Sequence, residues 1–188
     1  MRKTLTAALL AATLLTLAAC GNDDETDAGA THNDADVTFA QQMIPHHQQA
    51  IEMSELAETR AASPEVKDLA ADIKGAQDPE IETMTGWLES WSEDVPGGDM
   101  SGMDHGDRSA NGMEGMMSEE EMAELEAASG AEFDRLFLTM MIEHHEGAID
   151  MAKTEQEEGE YPDAIALAEE IEKAQTAEIT TMNELLGS

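Results

Sequence analysis

Apolar residues recur along the chain at intervals of three and four. Phe39, Met43, His46 or His47, Ala50, Met53 and Ala57 make one such stripe, and the positions between them are filled mainly by Ala, Glu, Gln and Met, all good helix formers. The same period appears in four stretches and predicts helices over roughly 36–62, 64–91, 130–158 and 162–186. Asp36 is a candidate cap for the first. Ser63-Pro64 and Tyr161-Pro162 mark the turns into the second and fourth, because proline is tolerated at the first helical position, where its missing N–H is not needed. No segment alternates with the period of a strand. The pattern therefore predicts an all-α chain, a four-helix bundle.

The stripes are two copies of one design. At a shift of 98 residues, Phe39–Leu88 aligns without a gap on Phe137–Leu186, and 19 of the 50 pairs are identical, too many for a shared helical composition alone. The identities include Phe39/Phe137, Ala50/Ala148, Pro64/Pro162, Ile73/Ile171, Gln77/Gln175 and Thr83-Met84/Thr181-Met182. Each copy reads as a helical hairpin, 36–91 and 129–188, and together they make one domain. Between them lies 92–128. Its first part, SEDVPGGDMSGMDHGDRSANGMEGMM, has no periodicity and reads as a crossover rich in Gly, Asp and Met. Ser118-Glu119-Glu120-Glu121 then resembles a capping box that opens a short acidic helix. A crossover of this length can reach along a whole bundle, which allows a ferritin-like order; a simple up-down-up-down order stays open beside it.

The first 19 residues stand apart from this pattern. Met1-Arg2-Lys3 is basic and Thr4–Ala19 is uncharged and rich in Leu and Ala, as in a secretory signal, and the run is too short to span a membrane. Leu17-Ala18-Ala19-Cys20-Gly21 resembles a bacterial lipoprotein cleavage box. Cys20 is then the lipidated first residue of an extracytoplasmic protein anchored to the cell membrane, followed by an acidic tether over 20–35. It is also the only cysteine, so the chain forms no internal disulfide and its stability must come from packing.

The formal charge is −33, and loss of Arg2 and Lys3 with the signal carries it two units further down. Nucleic acid and anionic membrane surfaces are repelled by such a charge. Cations are attracted, but only diffusely, since solvated acidic helix faces confer no specificity.

Specific chemistry enters with MIPHHQQAIEM (Met43–Met53) and MIEHHEGAIDM (Met141–Met151), where two adjacent histidines sit between methionines in both copies. Neighbouring helical residues point about 100° apart, whereas residues three and four apart share a face. Met43 thus shares a face with His46 or His47, and Met141 with His144 or His145. Folding each hairpin about its proline turn places His46 near Glu80 and Met43 near Met84, and likewise His144 near Glu178 and Met141 near Met182, toward the open end of the hairpin. Pro45 and Pro79, unmatched in the second copy, are expected to distort the first hairpin.

Di-iron carboxylate bundles use Glu-x-x-His. Here methionine occupies the slot three residues before the histidine, and a soft thioether favours Cu(I), whereas imidazole suits copper and zinc alike. Copper, as Cu(I), is therefore preferred to zinc or iron. The candidate ligands are Met43, His46, His47, Met53, Glu80, Met84, Met141, His144, His145, Met151, Glu178 and Met182. The crossover adds Met100, Met103, His105, Met113, Met116 and Met117 as a looser set. Methionine at helical spacing also fills cores, and a carboxylate can orient a histidine without touching the metal.

At these residues the chain resembles the bacterial family known as domain of unknown function 305, with its M-I-x-H-H-x-x-A-I-x-M signature, often in tandem. The resemblance implies a ferritin-like bundle and, for some members, extracytoplasmic copper binding. It supports Met43, His46, His47, Met53, Met84 and their partners Met141, His144, His145, Met151 and Met182. Gln49 departs from the small residue common in the family and from Gly147 in the second copy. The reading that follows is a lipid-anchored protein that buffers copper or passes it to a copper-handling partner. No nucleophile, triad or phosphate loop is present. A ferritin-like metal oxidase using iron or copper with oxygen, and an envelope interaction module without metal, are the two alternatives.

Overall fold

The structure, a computed structural model, describes residues 31–97 and 114–187. Cys20, the leader and the crossover residues Met100, Met103, His105 and Met113 lie outside them. The helices are α1 (Asp34–Arg60), α2 (Pro64–Trp91), α3 (Glu119–Ala127), α4 (Ala131–Glu158) and α5 (Pro162–Leu186). Among the described residues there is no strand, only an isolated bridge between Ala61 and Gly130.

Local chemistry explains the helix ends. α1 begins at Asp34 because Asn33, not Asp36, is the cap: its side chain accepts from the N–H groups of Ala35 and Asp36, and Asp36 accepts from the Asn33 N–H. Ser63 caps α2 through Val66 N–H, with Pro64 as the first helical residue, and Ser118 forms the expected box with Glu121 at the start of α3. Helices α1 and α2 run on through Pro45 and Pro79 as single elements, so the prolines do not break the first hairpin.

Contacts between helix ends fix the topology. Asn33 at the start of α1 donates to the Glu158 carbonyl at the end of α4 (2.8 Å), and Gly130 at the start of α4 donates to the Arg60 carbonyl at the end of α1 (2.8 Å). Helices α1 and α4 are thus antiparallel, each packed on its hairpin partner. The crossover must return from the end of α2 to the opposite end of the bundle. This is the ferritin-like order, four helices with one long crossover.

The two hairpins hold each other by a reciprocal clamp. The Asp36 carboxylate accepts from Glu160 N–H (3.2 Å) and Tyr161 N–H (2.9 Å), in the turn of the second hairpin. Asp134 accepts from Ala62 N–H (3.0 Å) and Ser63 N–H (2.9 Å), in the turn of the first. The clamp contacts of the two halves map onto each other at the same shift of 98, a pseudo-two-fold relation.

The packing follows this symmetry. Phe39, Met43, Met84 and Leu88 of the first hairpin pack with Ala148, Ala152, Ala168 and Ile171 of the second, with Met151 against them. Phe133, Phe137, Met141 and Met182 pack with Ala50, Met53, Leu69 and Ile73 in a second cluster. Each end of the core therefore mixes both repeats, and the histidines lie at mid-length between the two clusters.

Candidate metal centre

His46 and His47 are consecutive on α1, so the helix aims them at different neighbours. His46 faces α4 and meets His144: the ring centroids are 3.7 Å apart and the planes tilted by 40°. His47 faces α2, and its Nε2 lies 2.6 Å from Glu80 Oε2. The second copy repeats this, with His145 Nε2 2.6 Å from Glu178 Oε2. The hairpin register thus differs by one residue from the sequence expectation: His47 and His145, not His46 and His144, take the carboxylates. The meeting point is also the middle of the hairpin and not its open end. His46 and His144 are left to face each other across the repeat seam.

All four rings have no exposed surface. Glu80 and Glu178 keep about a fifth of their side-chain surface exposed (20% and 21%), so the carboxylates stand between the buried rings and solvent. A carboxylate only accepts, so each Glu fixes its histidine as the Nε2–H tautomer and leaves the lone pair on Nδ1. That Nδ1 is buried and has no partner in either copy. On His46 and His144 neither nitrogen has a hydrogen-bond partner; the Glu114 backbone lies near His46 without hydrogen-bond geometry. Six buried ring nitrogens are therefore unpaired.

Burial holds the central rings neutral. It lowers the His46 pKa from 6.5 to about 3, with a smaller push from His47, and the Glu114 backbone offsets only part of this. His144 is likewise held well below its ordinary value, first by burial and then by His46. Neutral imidazoles carry a free lone pair and are the form that binds metal.

The sulfur groups sit on either side. Met43, Met84, Met53, Met141 and Met182 have no exposed surface. Met43 and Met84 share one cluster, as the hairpin fold predicts, and half-buried Met151 packs against it. Met141 and Met182 share the other, together with Met53 from the first repeat and Met117 from the crossover. Of the remaining crossover candidates, Met116 is half-buried. Among the described residues, no group of three or more His, Cys, Asp or Glu side chains is arranged to hold a metal ion. Imidazole pairs and thioether clusters are what the fold provides.

Three features escape a reading of the sequence alone. Gln77 and Gln175, one turn before Glu80 and Glu178, are buried with their side-chain oxygens unpaired, and they are identical in the repeat. The Asp36/Asp134 clamp lies three residues upstream of the aligned repeat, and extending the alignment would have paired them. Gln49 binds Met117 through both amide groups: Gln49 Nε2 donates to the Met117 carbonyl (2.8 Å) and Met117 N–H donates to Gln49 Oε1 (2.7 Å).

Comparison with known proteins places this geometry in context. The profile of the domain of unknown function 305 family matches residues 36–186. A protein of that family from Streptomyces coelicolor, assigned as secreted, superposes with a TM-score of 0.72 at 34% identity, over 81% of this chain and 92% of that one. A fragment of that family from Deinococcus radiodurans gives 0.71 at 32% identity, over 82% and 97%. CopM in its Cu(II)-bound form gives 0.66 at 35% identity, over 81% and 95%. Structures of CopM with Cu(I), with silver and without metal match as well. No curated protein matches the chain significantly.

Proposed function

This chain belongs to the domain of unknown function 305 family, and from that premise we propose that it binds soft metal ions outside the cytoplasm, copper above all, as a buffer or carrier. The observation that carries the proposal is the set of six unpaired, fully buried imidazole nitrogens where the two repeats cross. An unsatisfied buried polar group costs on the order of 1–3 kcal/mol. Several together rival the whole stability of a domain, about 5–15 kcal/mol. Such an arrangement works against folding unless something else fills those valences. Cations match the one lone pair each neutral ring carries: His46 and His144 offer theirs at the seam, while His47 and His145 offer Nδ1 with a carboxylate behind the other nitrogen. That carboxylate–histidine arrangement is a recurrent device for orienting a metal ligand.

The choice of ion follows from the donors. Thioethers on both flanks favour Cu(I) and its chemical relatives over iron or zinc. CopM, at 31–35% identity, has been seen with Cu(I), Cu(II) and silver, which supports the same ion class here. Glu80 and Glu178 are engaged with separate histidines, so they act as orienting groups in this reading and not as the bridging carboxylates an oxidase would use. Localisation outside the cytoplasm rests on the leader and on the secreted relative. Attachment through lipid on Cys20 belongs to the proposal too. No helix among the described residues is long and apolar enough to cross a membrane.

Equilibrium dialysis of the mature protein against Cu(I) and silver tests the reading, beside a variant with His46, His47, His144 and His145 all changed to Ala. The wild type retains ions that the variant loses, and its melting temperature rises with ion concentration because the ligand binds only the folded state. Equal retention by both proteins rejects the site.

A further inference from the structure

The two copies of the histidine motif differ where the crossover lands. Positions 49 and 147 are equivalent under the repeat, yet one is Gln and the other Gly. Gln49 grips Met117 by two amide bonds, and Met117 is buried. Gly147 receives the preceding residues: a Cβ built there would overlap the Glu114 carbonyl oxygen and fall 2.8 Å from Gly115 Cα. Gly115 fits against α4 for the same reason. Its φ is +80°, and a Cβ on it would fall 2.8 Å from the Glu143 carbonyl oxygen and 3.0 Å from that of His144. One copy thus holds the strap with a side chain, the other by having none.

This strap, Glu114–Met117, passes over the seam from α4 to α1 beside the fully buried His46 and His144. We propose that it is the gate of the metal site, latched by Gln49 and seated on Gly147, so that an ion enters or leaves the histidine seam only when the Gln49–Met117 pair opens. The proposal rests on the metal-binding reading for its purpose but not for its geometry. A strap held by two amide bonds at one end and by close packing at the other opens at lower free energy than the helices beneath it, as loops drawn from the low-stability end of a fold do. It converts a site that is buried at equilibrium into one that exchanges on demand.

Two variants test it from opposite ends. Gln49→Ala removes the latch, and Gly147→Ala wedges the seat. Each is compared with the wild type and with Asn33→Ala, which weakens the far end of the bundle without touching the strap. The first readout is the rate at which diethyl pyrocarbonate modifies His46 and His144 in the metal-free protein, located by mass spectrometry. Gln49→Ala is expected to react on the order of tenfold faster, the size that loss of two modest hydrogen bonds gives, Gly147→Ala faster as well because its Cβ displaces the strap, and Asn33→Ala at the wild-type rate. The second readout is the rate of silver release to a thiol chelator, accelerated by a similar factor. Unchanged modification of the two histidines in folded Gln49→Ala and Gly147→Ala overturns the gate, whatever the metal data show. Failure of the wild type to retain silver or Cu(I) overturns the proposed function and leaves the accessibility test standing. Should a variant not fold, hydrogen exchange on the wild type decides: a Met117 amide that exchanges far faster than the buried amides of α1 and α4 supports the gate, and exchange only by global unfolding contradicts it.

Discussion

His46 and His144, 98 residues apart in the chain, face each other at 3.7 Å between ring centroids with no exposed surface and no hydrogen bond on any of their four nitrogens. Neither ring can take a proton without placing a desolvated charge against the other. In the unfolded chain both titrate at their ordinary value of 6.5, whereas folded His46 does so at about 3 and His144 well below 6.5. Between those limits the unfolded state holds more protons, so stability falls as pH falls. The metal-free protein should lose up to about 1.4 kcal/mol per pH unit for each ring below 6.5. Urea unfolding between pH 7 and 4 measures it, and His46→Gln should reduce the slope.

The reciprocal clamp predicts a loss at both ends of the bundle. Asp134→Ala removes two charge-assisted bonds between the repeats and should cost about 2–3 kcal/mol; Asp36→Ala removes its own two together with the Asn33 capping bond and should cost more. The two sites lie at opposite ends of the bundle, so the double variant should lose close to the sum. Denaturant midpoints of the three variants check this, and Asp134→Asn, which keeps an acceptor oxygen, should lose less.

Glu155 breaks the symmetry of that clamp. Its equivalent in the first repeat is Ala57, and it lies at the end of α4 with 1% of its surface exposed. It lines a cavity of about 300 Å³ with Asp34, Phe39, Gln42 and Met151. Burial raises its pKa from 4.5 to about 8, and the neighbouring Asp36 carboxylate adds to the shift. Here the folded state binds the extra proton, so this contribution to stability is full below pH 4.5 and is lost as pH rises through 8. Glu155→Gln keeps the shape but cannot ionise. Thermal unfolding of the variant should therefore vary less between pH 6 and 9 than that of the wild type.

Glu80 and Glu178 should affect metal more than fold. Each is part-exposed and hydrogen-bonded to a histidine, so Glu80→Ala and Glu178→Ala leave the ring in place but free to turn. Loss of such an orienting group typically lowers metal affinity about 10–100-fold. Chelator competition with Cu(I) measures this, and circular dichroism should show the helical content unchanged.

Much of this was legible from residues alone. Helical spacing gives the four long helices, and the proline turns place their junctions at Pro64 and Pro162, where the structure has them. The repeat implies two like hairpins, and the crossover length admits the ferritin-like order. What spacing leaves undecided is rotation about a helix axis. His46 and His47 differ by about 100°, and an error of one residue in hairpin register assigns Glu80 to the wrong ring. Clamp residues are legible only once partners distant in sequence are known: Asp36 reads as a cap because a carboxylate near a helix start usually is one, and its bonds to Glu160 and Tyr161 depend on the packing of a hairpin 124 and 125 residues away. The strap falls in the same class. Met117 looks like any crossover methionine until Gln49 is seen to hold it.

Crystals of the silver-loaded protein offer the most direct test of the central claim, because anomalous scattering locates the ion without reference to any assumed ligand. The account predicts density in the interior beside His46 and His144, flanked by the buried methionines. Silver found only on surface carboxylates or on the crossover residues Met100, Met103 and His105, with the four buried imidazoles untouched, would contradict it.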